Sequence, residues 1–316
     1  MFIASPFTSR KGIRELSGKV AVITGAASGI GRALAIGLWS RGCHLALVDV
    51  DQDGLATLER ELNRSGASGP RQSLTTHVAS VADRLRMQEL AREVVKAHGS
   101  VHVLINNAGI GHEAAFSQTS LDDWDCIVGV NLWGAIYGCH FFMPHLAKVE
   151  RAHIVNISSL FGIVAMAGQA AYCTTKFAVR GLSESLWEEL RTTSVGLTIV
   201  HPGAVATNIM KHAHGDDPEL MLRLSQWFAQ HAISPERASN AIIRAIENGT
   251  PRLLITPEVK FADLLKRLIP VLGNKLFGDV IVRAMGEEAM RAKRAKQWRE
   301  TMVESDPDTG QPGRPL

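Results

Sequence analysis

From Gly18 onward the chain alternates between short aliphatic and β-branched runs and longer stretches whose apolar positions recur at helical spacing. The short runs are KVAVIT (19–24), HLALVD (44–49), RQSLTTHV (71–78), VHVLIN (101–106), AHIVNIS (152–158), LTIVHP (197–202) and RLLIT (252–256). Each has the length and composition of a buried strand. Between them lie helix-like segments, among them LDDWDCIVGVNLWGAIYGCHFFMPHLAKVE (121–150) and SPERASNAIIRAIENG (234–249). The second carries its own start signal: Ser234 as N-cap, Pro235 at the first helical position and Glu236 in the first turn. This alternation predicts an α/β fold, a doubly wound parallel sheet of about seven strands with helices on both faces. Strands covered on both faces should be almost continuously apolar.

The same pattern sets the boundaries. Residues 1–17 read as a flexible lead-in, 18–256 as one domain and 257–305 as a C-terminal helical extension. The extension opens with an apolar face, KFADLLKRLIPVLGNKLFGDVIVRAM, followed by the basic RAKRAKQWR. The tail DPDTGQPGRPL (306–316) has the composition of a disordered segment.

One run raises a conflict. Between Arg151 and Lys176 there is no Asp, Glu, Lys or Arg, long enough for a membrane-spanning helix. Yet Asn156, Ser158, Ser159 and Gln169 lie inside it, and Asn131 and Pro144 inside the apolar stretch 126–147. These residues suit the wall of a buried site better than a lipid-facing surface. No transmembrane segment is expected.

Composition agrees: 46% hydrophobic and 21% charged residues mark a globular chain with a sizeable core. A net charge of +3 is too balanced for a nucleic-acid surface. Cys43, Cys126, Cys139 and Cys173 are scattered without a CxxC pair, which predicts neither a zinc site nor a disulfide framework and fits a reducing, cytoplasmic compartment. His212, His214 and His231 are read as solvated loop residues, and no metal is expected. The N-terminus has Arg10, Lys11 and Arg14 but no continuous apolar core, so no secretory signal is expected. The absence of acids before Glu15 keeps a transit peptide as the minor alternative.

The first strand leads into Thr24-Gly25-Ala26-Ala27-Ser28-Gly29-Ile30-Gly31, followed at once by a helix pattern. Glycines at this spacing allow a sharp turn and a close approach of backbone to a pyrophosphate at the helix N-terminus. The spacing is GxxxGxG rather than GxGxxG, and by itself also suits an ordinary strand-to-helix turn. Asp49 ends the second strand 24 positions after Gly25, close to the offset of an acid that accepts from adenosine ribose hydroxyls. Its carboxylate would repel a 2′-phosphate, and Ala27 and Val50 supply no cation, although Arg32 lies near the loop. NAD is favoured over NADP. Asp49 could alternatively cap the helix beginning near Asp51.

The set TGAASGIG (24–31), Asp49, NNAG (106–109), Asn131, Ser158-Ser159, YCTTK (172–176) and HPGAVAT (201–207) resembles the short-chain dehydrogenase/reductase family. The resemblance covers roughly residues 17–256, and the order and spacing of these motifs make it specific. It implies a Rossmann-like fold. It also implies that Tyr172 is the catalytic acid/base, Lys176 its partner and holder of the nicotinamide ribose, Ser159 the substrate-orienting hydroxyl with Ser158 beside it, and Asn131 a residue whose distorted backbone positions a proton-relay water. A spacing of four places Tyr172 and Lys176 on one helix face, where a nearby cation favours the phenolate and lowers its pKa from about 10. Ser159 could otherwise be a turn serine and Asn131 a helix-surface amide.

For the cofactor, the resemblance implicates Gly25, Ser28, Gly29, Ile30, Gly31, Asp49, Val78, Asn107, Ala108, Gly109, Tyr172 and Lys176. It adds Pro202, Gly203, Val205 and Thr207 on the nicotinamide side. One departure is His77 before Val78, where many members carry an acid. The implied activity is NAD-dependent interconversion of a secondary alcohol and a ketone. A catalytically silent NAD-binding or scaffold protein and an NAD-using epimerase or dehydratase are the alternatives; the intact Ser, Tyr and Lys set argues against the first. Met210, Met221, Leu222, Leu224, Trp227 and Phe228 fall where the family places its substrate loop, which predicts a large, mostly apolar alcohol or ketone. Residues beyond Pro257 are expected to help enclose it; core packing, subunit contact and peripheral membrane contact are the other readings of that amphipathic segment. The resemblance also implies a homodimer or homotetramer.

Overall fold

The computed structural model describes residues 11–66, 72–207 and 232–284. The strands are β1 (Val20–Thr24), β2 (His44–Asp49), β3 (Leu74–Val78), β4 (Val103–Asn106), β5 (Ala152–Ile157), β6 (Val195–His201) and β7 (Arg252–Leu254). The helices are α1 (Gly29–Trp39), α2 (Gln52–Ser65), α3 (Arg84–His98), α4 (Leu121–Val128), α5 (Gly134–Leu146), α6 (Ala170–Glu189), α7 (Pro235–Asn248), α8 (Pro257–Leu268) and α9 (Pro270–Ala284). All strand pairs are parallel and the order is β3-β2-β1-β4-β5-β6-β7, a Rossmann-like doubly wound sheet.

Alternation along each strand sorts the core into two layers. In β1, Ala21 and Ile23 face one side and Val22 the other; in β2, Leu45 and Leu47 oppose Ala46 and Val48. The first side packs on Leu34 and Leu38 of α1, Leu58 and Leu62 of α2, and Ile242 and Ile246 of α7. The second packs on Leu90 and Val94 of α3 and Phe142 and Leu146 of α5. Helix α1 crosses α7 closely at Gly37, where a Cβ would stand 2.7 Å from Ile243 Cδ1. Helix α7 starts as its sequence indicates: Ser234 Oγ accepts from Arg237 N at 3.3 Å, and Gly249 closes the helix at φ 63°.

Two expectations change. Edge strand β3, LTTHV, is only partly buried, because no described strand pairs with its outer side. The uncharged run 152–175 divides, as its strand pattern indicates, into β5, a 3-10 turn at Leu160–Gly162, a loop and the start of α6. The described part of the lead-in is packed rather than flexible: Ile13 N donates to Ile246 O at 3.1 Å, and Ile13 and Leu16 are in the core. By length and composition, Leu121–Leu146 is the one described helix able to cross a membrane. Its buried residues Cys139, Phe142 and Leu146 instead join the core against the sheet. The substrate-loop residues 209–228, His212, His214, His231, the tail 306–316 and residues 1–10 lie outside the described residues.

Candidate active site

The chain leaves β1 on one side of the sheet's midline and β4 on the other. This reversal of strand order opens a crevice at the strands' C-terminal ends, where doubly wound sheets bind ligands. Thr24 fastens its two lips together. Its hydroxyl donates to Ile105 O at 3.3 Å and accepts from Asn107 N at 3.0 Å and Ala108 N at 3.1 Å. Asn107 Nδ2 donates to Thr24 O at 2.9 Å and Gly25 O at 3.0 Å, so this side chain braces the glycine loop from behind.

The loop's glycines are required by proximity. Gly25 has φ 66°, and a Cβ there would lie 2.8 Å from Ala108 Cα. A Cβ on Gly31 would fall 2.0 Å from Gly25 O. Helices α2, α3, α4 and α7 each begin with a side chain accepting from the first turn: Asp51, Asp83, Ser120 and Ser234. At α1, Ser28 occupies the cap position but makes no such bond, and the first turn holds no acid. The donors at Gly29, Ile30 and Gly31 are therefore not taken by a capping side chain, which suits an anionic phosphate.

Asp49 is not the cap of α2, since Asp51 fills that role. Its Oδ2 accepts from Ala27 N at 2.9 Å and its Oδ1 from Asp51 N at 3.1 Å, which fixes the carboxylate beside the loop. Val50, 66% exposed, and Val78, 50% exposed and in register with Asp49, flank it as open apolar surface. His77 turns away to α3: Nδ1 meets Glu93 Oε2 at 3.0 Å and Nε2 meets Thr75 Oγ1 at 3.0 Å. Burial holds its pKa below the usual 6.5.

Across the crevice, Ser159, Tyr172, Lys176 and Asn131 come together, all buried. Ser159 Oγ accepts from Phe161 N at 3.1 Å, and its hydroxyl acts to lower the pKa of the Tyr172 phenol. Lys176 Nζ donates to Ile157 O at 3.2 Å and lies 5.6 Å from the Tyr172 ring centroid. Ser158 Oγ donates to Lys176 O at 2.9 Å, tying β5 to α6. Asn131 sits in a π-helical turn, Gly129–Trp133, that breaks the regular path between α4 and α5. Its Oδ1 accepts from Ile110 N at 2.8 Å while Nδ2 donates to Ile110 O at 3.0 Å and Thr175 Oγ1 at 3.3 Å. Thr175 in turn donates to Tyr172 O at 2.8 Å. Gly109 is the meeting point: a Cβ there would stand 3.1 Å from Asn131 Oδ1 and 3.3 Å from Lys176 Nζ.

The electrostatics correct the expectation for Tyr172. In the protein alone, burial dominates and pushes the phenol up to about 12, the Ser159 hydroxyl opposing it. Burial also pulls the Lys176 ammonium down to about 8. A charged lysine above an aromatic ring does not by itself offset the loss of water around a phenolate.

The loop that follows β6 is held by contacts that the motif pattern did not indicate. His201, buried at the end of β6, has Nδ1 2.9 Å from Ser159 O, which requires the proton on Nδ1. Burial pulls it down to about 4, so it is neutral. Pro202 O accepts from Leu160 N at 2.8 Å. Glu258, from the extension, accepts from Ala204 N at 3.2 Å, and a Cβ on Gly203 would strike Thr256 Oγ1 at 2.1 Å. Val205 bridges Ile233. Thr207 packs its methyl toward the glycine loop, 3.0 Å from where a Gly29 Cβ would be.

A family model described as short chain dehydrogenase matches residues 19–217, and the chain belongs to that family. It is 40% identical to the Mycobacterium tuberculosis oxidoreductase SadH over 259 residues, covering 81% of this chain and 92% of SadH. A short chain dehydrogenase/reductase from Burkholderia phymatum, solved in complex with NAD, superposes with TM-score 0.76 at 30% identity, covering 82% of this chain and 96% of that one. A metagenomic short-chain oxidoreductase in complex with NADP gives TM-score 0.63 at 30% identity, over 77% and 99%. The chain is thus a short-chain oxidoreductase of a fold that holds NAD in one neighbour and NADP in another. Its uncapped α1, fixed Asp49 and glycine cradle fit such a dinucleotide.

Proposed function

We infer that the protein is an NAD-dependent oxidoreductase that interconverts a secondary alcohol and a ketone, with a mostly apolar substrate. The observation that carries this reading is the single buried cluster of Ser159, Tyr172 and Lys176, with Lys176 Nζ 5.6 Å from the Tyr172 ring centroid and Lys176 the only Lys or Arg buried among the described residues. In this reading the nicotinamide, when bound, supplies or accepts the hydride. Tyr172 exchanges the proton with the substrate oxygen, and Ser159 orients that oxygen. A phenol held near 12 is protonated at neutral pH and suits donation to a ketone. In the opposite direction, the Lys176 ammonium favours the phenolate. Asn131, locked to Ile110, keeps the π-turn rigid so that a relay water can stand beside Lys176.

NAD is preferred because Asp49 faces the ribose without a compensating cation. Arg32, the cation near the loop, is already paired with Glu61. The apolar wall of the site includes Leu160, Ile163 and Val164, packed on Val259 and Ala262 of α8, which supports a lipophilic substrate and a part for the extension in enclosing it. A homodimer or homotetramer is supported by the aromatic ladder that runs from the π-turn into α5, where Trp133, 46% exposed, stacks on Tyr137 at 5.4 Å and Tyr137 meets Phe141 at 6.1 Å. The test is reduced-cofactor formation against a panel of short, long-chain and polycyclic secondary alcohols, with NAD and NADP in parallel. Turnover with NAD, best on the larger apolar alcohols, is expected. No turnover on any alcohol or ketone, or a preference for NADP, would overturn the respective part.

A further inference from the structure

Seven of the thirteen exposed large hydrophobic side chains among the described residues fall between 261 and 276. They include Phe261, Leu264 and Leu268 on α8, and Val271, Leu272 and Leu276 on α9, with Leu268 71% and Val271 87% exposed. The spacing 261, 264, 268 puts the α8 set on one helical stripe, and the buried positions Val259 and Ala262 turn inward to Leu160, Ile163 and Val164. The two helices meet closely at Gly273, where a Cβ would be 2.8 Å from Leu265 O.

The exposed positions of 257–276 carry three cations, Lys260, Arg267 and Lys275, and no carboxylate. The acids of this stretch are engaged elsewhere. Asp263 is buried between Arg252, at 2.6 Å, and Arg267, at 3.0 Å; Glu258 accepts from the Ala204 amide. An apolar face rimmed by long basic side chains matches a bilayer with anionic headgroups, into which the aliphatic groups sink while the cations snorkel to the phosphates. A second copy of the chain would set like charges against each other across a two-fold contact, and protein interfaces are depleted in lysine.

We propose that α8 and α9 form a docking surface for an anionic lipid bilayer. The surface is braced on the substrate side of the active site. Asn274 of α9 accepts from Ala165 N at 2.9 Å and donates to Ala165 O at 3.3 Å, gripping the loop that follows Ser159. The bilayer contact stands on the exposed face alone, so it holds or fails separately from the alcohol oxidoreductase reading.

The test is flotation of the full-length protein with vesicles of mixed phosphatidylcholine and phosphatidylglycerol, against phosphatidylcholine alone. The protein should float with the mixed vesicles, less with the neutral ones, and less again in high salt. The double variant Leu264→Glu, Leu268→Glu should lower mixed-vesicle binding by about tenfold or more, and Lys260→Glu with Lys275→Glu should abolish the preference for the anionic lipid. If the acidic double variant proves misfolded by circular dichroism, Leu268→Gln with Val271→Gln takes its place. Absence of flotation with mixed vesicles, or flotation unchanged by these substitutions, overturns the proposal. So does a wild-type oligomer that the apolar-face variants convert to monomer without any lipid effect, since that would assign the face to a second copy.

Discussion

The two halves of the crevice are built by different means. On the side of the glycine loop the geometry is made of backbone: three glycines, an uncapped helix start, an amide held by Asp49 and carbonyls held by Asn107. On the opposite side it is made of the buried side chains Ser159, Tyr172, Lys176 and Asn131, with Ser159, Lys176 and Asn131 each fixed by a specific bond. The first half should therefore tolerate changes of side-chain chemistry and reject added volume. The second should tolerate little change of chemistry, even where volume is kept.

The largest effect expected from this contrast is that of Tyr172→Phe, which keeps the ring and removes the transferable proton. Turnover should fall by about 10²- to 10⁴-fold while NAD affinity by fluorescence titration changes little. A loss under tenfold would remove Tyr172 from the proton-transfer role. The opposite pattern is expected of Gly31→Ala. One methyl placed 2.0 Å from Gly25 O cannot be relieved by a rotamer change, because the obstacle is backbone. Overpacking of this kind costs about 1–3 kcal/mol, so both the melting temperature and NAD affinity should drop together. Gly109→Ala is the sharper version. Its Cβ would meet side-chain atoms of Asn131 and Lys176 at 3.1 and 3.3 Å, so turnover should fall more than cofactor affinity does.

A smaller effect is expected at Asp49, the carboxylate beside the glycine loop in the backbone-built half. Asp49→Ser removes the charge facing a 2′-phosphate but also the acceptor for Ala27 N and Asp51 N. The NAD-over-NADP ratio should narrow by about tenfold, mostly through weaker NAD binding. An unchanged ratio would move cofactor choice to other residues.

This division also explains what could be read from the chain in advance. The strands were legible from their short apolar runs, and Tyr172 and Lys176 from a spacing of one helical turn, whereas Ser159 and Asn131 were legible only through the resemblance to the short-chain dehydrogenase/reductase family. What Thr24, His201, Glu258 and Asn274 hold was not legible, because their contacts are long-range. Asn274 and Ala165 are 109 positions apart, and His201 and Ser159 are 42 apart. No period or motif in one sequence links such pairs. The shift of Tyr172 was misjudged for a related reason: its nearest charge is visible four residues away, whereas its burial is assembled from several distant segments.

The least perturbing test falls where the two halves meet, at His201, a side chain whose purpose is to hold a backbone carbonyl. Its folded pKa of about 4 lies below the unfolded value of about 6.5, so the unfolded chain binds more protons between these limits. Stability is therefore complete above about pH 6.5 and declines as pH falls toward 4, by an order of 1–3 kcal/mol for this one group. His153, also buried and held near 4, contributes a parallel decline and will remain when His201 is replaced. Asn can present an amide donor near the position of Nδ1 and does not titrate. His201→Asn should consequently make the acid limb of the stability profile shallower while turnover stays within a few-fold. His201→Leu should remove the same proton uptake but leave Ser159 O without its donor, lowering turnover further than Asn at equal pH. If Asn and Leu lower turnover alike, the Nδ1 contact does not position Ser159, and His201 is there only to fill the space beneath β6.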